Sequence, residues 1–168
     1  MGYRRVTMSD STMPDAETAE IAERIGRAVL AAGLRVAVAE SLTSGAVASA
    51  LGAATEASSW FAGGVVAYAA DVKFKVLDVD PGPVVTPRCA AQLARGVARL
   101  LGADVAVAVT GVGGPEPDEG HPAGTVYAAV HYLSTEHVRH NVFEGDPAQV
   151  VAQATFHALR MLHDLVAA

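Results

Sequence analysis

In this 168-residue sequence, Ser41 is the side chain whose surroundings point most directly to chemistry. It stands in Ala39-Glu40-Ser41-Leu42-Thr43-Ser44-Gly45, between the apolar run 35–39 and a helical stretch over 43–54. A hydroxyl at a strand-to-helix turn meets unpaired backbone N–H groups and the positive end of a helix dipole. Two roles fit it. The hydroxyl can cap the helix, or it can attack an electrophile, for which serine needs a neighbouring base. Lys73, one of two lysines in the chain, closely follows a second apolar run, FAGGVVAY at 61–68, that ends in Tyr68. Desolvation lowers a lysine pKa and makes the amine a proton acceptor near neutrality. The alternative for Lys73 is an ordinary solvated helix lysine. A second segment of the same kind is TGVGGP at 110–115, in which Gly111, Gly113 and Gly114 directly follow a valine-rich run. It has neither the Lys-Ser/Thr ending of a nucleoside-triphosphate loop nor dinucleotide-fingerprint spacing, so a plain turn and a ligand cradle both remain open.

The other reactive residue types carry less. His121, His131, His137, His140, His157 and His163 make no metal-ligand motif, and no metal is predicted. His137 and His140 fall on opposite faces of one strand. Cys89, the only cysteine, follows Pro87 on a helix with no adjacent base and reads as a buried, inert thiol.

The elements that must position these groups alternate. Ile21, Ile25, Ala28, Val29 and Ala32 recur at helical spacing after Asp15, and Gly33 is a stop signal. The pattern then predicts strands at 35–39 and 61–68, with a short helix at 71–77. A longer helix opens at Thr86 with Pro87 in its first turn and ends near Gly102. Residues 104–109 (DVAVAV) read as a central strand, and 110–122 as a loop. Strands at 125–132 and 136–143 pair through 133–135, and Asp146 caps a last helix to about residue 166. The order implies a three-layer α/β/α single domain with a mixed, mostly parallel sheet. Residues 1–14 lack apolar periodicity and read as a disordered leader before a domain at 15–168.

The composition narrows the partners. A hydrophobic content of 51% supports one substantial core, while a net charge of −6 argues against a surface that holds nucleic acid. No run approaches the length of a membrane span, the start lacks the apolar middle of a signal peptide, and a cytoplasmic location is expected. Several apolar faces point to a homo-oligomer, with a dimer as the simplest form.

Taken in order, AESLTSG (39–45), GGVVAYAADVK (63–73), LGADVAVAVTGVGGP (101–115) and HPAGTVYAAV (121–130) resemble the CinA C-terminal family, a likeness that runs from about residue 17 to 165. Members with an assigned activity are nicotinamide-nucleotide amidohydrolases, which convert nicotinamide mononucleotide and water to nicotinic acid mononucleotide and ammonia. The resemblance implies Ser41 as nucleophile, Lys73 as general base, and Tyr68 as proton shuttle or hydrogen-bond partner. It places Glu40, Thr43, Ser44 and Gly45 at the substrate, with backbone N–H groups of Thr43 and Gly45 toward the oxyanion. Thr110, Gly111, Gly113 and Gly114 would line the nucleotide. No cofactor is implied. Many members carry a molybdopterin-binding-like domain in front; here the amidohydrolase unit alone is expected.

The sequence departs from the family pattern at several positions. Leu42 and Ser44 stand where Cys and Gly are usual, and Ala70 replaces an Asn before the lysine. Pro147 and Val151 replace two arginines near the last helix, removing cations that could face a phosphate. That loss favours the alternative from another class, a non-catalytic nucleotide-binding or regulatory module.

Overall fold

The computed structural model describes residues 15–168, so the expected leader lies outside the described residues. Helix α1 (Ala16–Ala32) starts where the Asp15 carboxylate accepts from the Thr18 N–H, and it stops at Gly33 in the left-handed conformation. Strand β1 (Val36–Glu40) follows, then helix α2 (Ala46–Gly52), the one-turn helix α3 (Ala57–Trp60) and strand β2 (Phe61–Val66). Helices α4 (Ala70–Leu77) and α5 (Pro87–Leu101) precede strands β3 (Val105–Gly111), β4 (Thr125–Tyr132) and β5 (Thr135–Val142). Helix α6 (Pro147–Val166) closes the chain with a capping box between Asp146 and Gln149.

The five strands form one sheet in the order β2-β1-β3-β4-β5. Pairing is parallel from β2 through β1 to β3 and antiparallel from β3 through β4 to β5, so only β4 runs against the rest. This is the expected mixed α/β sheet.

The two central strands are buried on both faces, and residue size rather than polarity tells the faces apart. Val36, Val38, Val105, Val107 and Val109 pack with α1, α2 and α6, and Ala37, Ala39, Ala106 and Ala108 pack with α5. Small side chains let α5 lie close to the sheet, where Leu93, Ala94 and Val97 are fully buried. Gly96 brings α5 just as close to α4, because a Cβ there would stand 2.1 Å from the Leu77 carbonyl oxygen.

Beyond shifts of one or two residues at other element ends, two boundaries and one added helix depart from the sequence reading. The second strand ends at Val66 instead of Tyr68, because the carbonyls of Ala67 and Tyr68 leave the ladder and accept from Lys73 Nζ. Helix α2 begins at Ala46 rather than 43, since Ser44 and Gly45 both have positive φ, 51° and 102°, and form a turn. Helix α3 had no periodic signal in four residues.

Candidate active site

Ser41 follows β1 directly, held by its own N–H, which donates to the Val109 carbonyl at 3.1 Å. On the other side of the strand the Ala67 N–H donates to the Glu40 carbonyl at 2.7 Å. The nucleophile candidate is thus fixed by the two neighbouring strands before its side chain makes any contact. Glu40 itself is buried, and its carboxylate accepts from the N–H groups of Gly45, Val47 and Ala48 at 3.1, 3.1 and 2.7 Å. That carboxylate satisfies the orphan donors at the start of α2, a role that serine had been weighed for.

The hydroxyl of Ser41 is left for Lys73. Lys73 and Leu77, one turn apart, are the buried residues of α4, so the lysine occupies a position an apolar side chain would normally take. Its Nζ lies 3.0 Å from Ser41 Oγ, 2.7 Å from the Ala67 carbonyl and 3.0 Å from the Tyr68 carbonyl. No carboxylate among the described residues pairs with it. A buried, unpaired ammonium is costly, and burial pushes the Lys73 pKa below its ordinary value, opposed by the Glu119 carboxylate. Cys89 is no counter-ion near neutral pH, because burial pushes its thiol up to about 11. A neutral amine has two N–H donors and one lone pair. Two backbone carbonyls take the donors, and the lone pair faces the serine hydroxyl.

The pair sits at the base of a cavity of about 440 Å³ lined by Leu42, Tyr68, Val84, Val85 and residues 110–118. Thr110, Gly111, Gly113 and Gly114 all belong to this wall. The glycines serve different needs: a Cβ on Gly111 would stand 2.3 Å from the Thr125 carbonyl oxygen, whereas one on Gly113 would only touch Leu42 at 3.8 Å. Gly111 is demanded by strand packing, and Gly113 faces the cavity. Thr110 donates from its hydroxyl to the Val84 carbonyl at 2.9 Å, and Glu119 accepts from the N–H groups of Val84 and Val85 at 2.7 to 3.0 Å. Residues 84–85 form a strap held from both ends of the glycine-rich loop.

Glu40, Thr43, Ser44 and Gly45 do not line the cavity. Gly45 also cannot offer its N–H to an oxyanion, because Glu40 already accepts it. The N–H groups of Leu42 and Thr43, by contrast, have no hydrogen-bond partner among the described residues. Thr43 is buried, and its hydroxyl is the one buried side-chain oxygen left without a partner among the described residues. Tyr68 is 68% exposed at the cavity mouth, and its backbone carbonyl rather than its phenol reaches Lys73. Sequence reasoning passed over Val84, Val85, Glu116, Asp118 and Glu119; the run of charges in 116–119 was visible, but the strap had no local signature.

Residues 18–166 match the CinA C-terminal domain. The chain belongs to the CinA C-terminal domain family. Protein YdeJ of Escherichia coli is 36% identical over 159 residues, covering 90% of this chain and 92% of that one. The putative competence-damage inducible protein of Desulforamulus reducens is also 36% identical, but this chain spans only 36% of its length. The same holds for the relative from Moorella thermoacetica, at 36% of its length. Among solved structures, a CinA superfamily protein from Klebsiella pneumoniae superposes with a TM-score of 0.86 at 36% identity, covering 89% of this chain and 98% of that chain. The competence/damage inducible protein CihA from Agrobacterium tumefaciens reaches the same TM-score at 28% identity. These solved CinA-family proteins therefore share the α/β sheet seen here.

Proposed function

We propose that this CinA-family domain is a serine-lysine amidohydrolase that removes ammonia from the carboxamide of a nicotinamide nucleotide, with nicotinamide mononucleotide as the substrate the family resemblance implies. The observation that carries the reading is the contact of 3.0 Å between Ser41 Oγ and the buried, carboxylate-free Nζ of Lys73.

Neutral Lys73 takes the Ser41 proton as Oγ forms a bond to the amide carbon. The N–H of Leu42, on the cavity wall and unpaired among the described residues, is the backbone donor available to the charge that develops on the amide oxygen. The C–N bond then breaks, Lys73 returns its proton to the leaving nitrogen, and ammonia departs from an ester on Ser41. Water attacks that ester, Lys73 takes a proton from the water, and the proton passes to Ser41 Oγ as the acid is released. One amide and one water become one acid and one ammonia, with the enzyme restored.

Ammonia release from nicotinamide mononucleotide tests this, with Ser41→Ala and Lys73→Ala variants confirmed as folded by circular dichroism. Turnover by the wild type that both variants lose supports the reading. A ligand that raises the melting temperature of the wild type without any ammonia release marks a binding module instead.

A further inference from the structure

The cavity over Ser41 is lined by a single cation among the described residues, and that cation is Lys73. It is unsuited to holding an anion. Its side chain is 1% exposed, its three contacts are Ser41 and two carbonyls, and burial favours its neutral form. At the mouth stand the carboxylates of Glu116 and Asp118. The Glu116 carboxylate makes no hydrogen bond or ion pair among the described residues, and the Asp118 carboxylate accepts there only from the N–H of Glu119. The Glu119 carboxylate lies on the adjoining strap. Arg88, the arginine nearest in sequence to that strap, is paired with Asp80.

A phosphate entering this mouth meets like charge and, among the described residues, no cation, which opposes binding. A nicotinamide ring substituted on its nitrogen carries a full positive charge, and two carboxylates lining the cavity attract it. We infer that the site recognises its ligand through the positive charge of an N-substituted pyridine carboxamide and leaves a phosphate unread, so that the phosphate-free nucleoside form binds as well as the mononucleotide. The inference rests on the amidohydrolase reading for what happens after binding, and on the charges of the cavity for binding itself. The carboxylates do not create the site; they set the charge at the mouth of the cavity built around Ser41 and Lys73.

Titration calorimetry on the full-length Ser41→Ala variant, which holds ligand without turnover, tests the inference with three probes. These are nicotinamide mononucleotide, nicotinamide riboside and free, uncharged nicotinamide. The riboside is expected to bind within about threefold of the mononucleotide, and nicotinamide about tenfold or more weaker. Adding Glu116→Gln and Asp118→Asn should weaken the two cationic ligands about tenfold and leave nicotinamide unchanged. A mononucleotide that binds more than about tenfold tighter than the riboside overturns the inference. So does equal binding of charged and uncharged rings, or no binding by any of the three. The expected order of affinities without ammonia release by the wild type removes the amidohydrolase reading and leaves the charge selectivity standing.

Discussion

The inner wall of the cavity, where Ser41 meets Lys73, and the outer wall, formed by residues 110–118, differ in how their polar groups are held. Inside, Glu40, Ser41 and Lys73 are buried, and each polar side-chain group has a partner from β1, α2, α4 or the carbonyls after β2. Outside, Glu116 and Asp118 are exposed on a loop tied down through Thr110, Glu119 and backbone hydrogen bonds of Val112 and Asp118. The inner wall can therefore fix a protonation state and a geometry. The outer wall supplies charge and shape, and it can vary without disturbing the chemistry beneath it.

The sharpest way to break the comparison is to remove the inner pair. Ser41→Ala or Lys73→Ala should each lower kcat/KM by about a thousandfold or more, because nucleophile and base act as one unit. Lys73→Arg should fail equally, since a guanidinium does not give up its proton in a protein. Steady-state ammonia assays read all three.

Next in size is Glu40, whose carboxylate caps the start of α2 through three N–H groups. Glu40→Ala leaves those buried donors unsatisfied and should cost about 3 kcal/mol in urea denaturation. An outer-wall substitution such as Glu116→Gln should leave stability within about 0.5 kcal/mol.

The pH profile links the two walls. Lys73 must be neutral to act, and its pKa is lowered from 10.5 by burial, so activity should rise with pH and reach its plateau below that value. The sign for stability is the same: between the folded pKa and 10.5 the unfolded chain holds a proton that the folded chain does not, so stability grows with pH across that window. The Glu119 carboxylate holds the Lys73 proton more tightly, so Glu119→Gln should move the acid limb of the rate profile to lower pH. It should also weaken the strap by about 1 to 2 kcal/mol, through loss of charged hydrogen bonds to Val84 and Val85.

The smallest effect is expected at Ser44, whose φ of 51° lies in the left-handed region. Ser44→Gly should raise the unfolding free energy by less than about 1 kcal/mol, the strain relieved being partly offset by glycine's greater chain entropy.

The sequence made most of the fold legible, because the alternation of valine-rich runs with capped helices follows from periods of 2 and 3.6 residues. Gly33, Thr86, Gly102 and Asp146 mark helix ends in the structure as their chemistry required. Ser41 and Lys73 were visible as residue types at strand ends, but only the fold brings them to 3.0 Å across 32 residues of chain. Glu40 was placed at the substrate only by the family resemblance; its burial under α2 depends on the turn at 44–45. The strap at 84–85 could not be foreseen, since its hold by Glu119 spans 34 or 35 positions and leaves no local pattern.

The central claim is that Ser41 becomes acylated with Lys73 as its base. Rapid-quench intact-mass spectrometry during the first turnovers on nicotinamide mononucleotide tests it most directly. The account predicts a transient acyl adduct that maps to Ser41 and is absent from Ser41→Ala and from Lys73→Ala. Ammonia released at full rate with no adduct on Ser41 at any time, or an adduct that survives in Ser41→Ala, would contradict it.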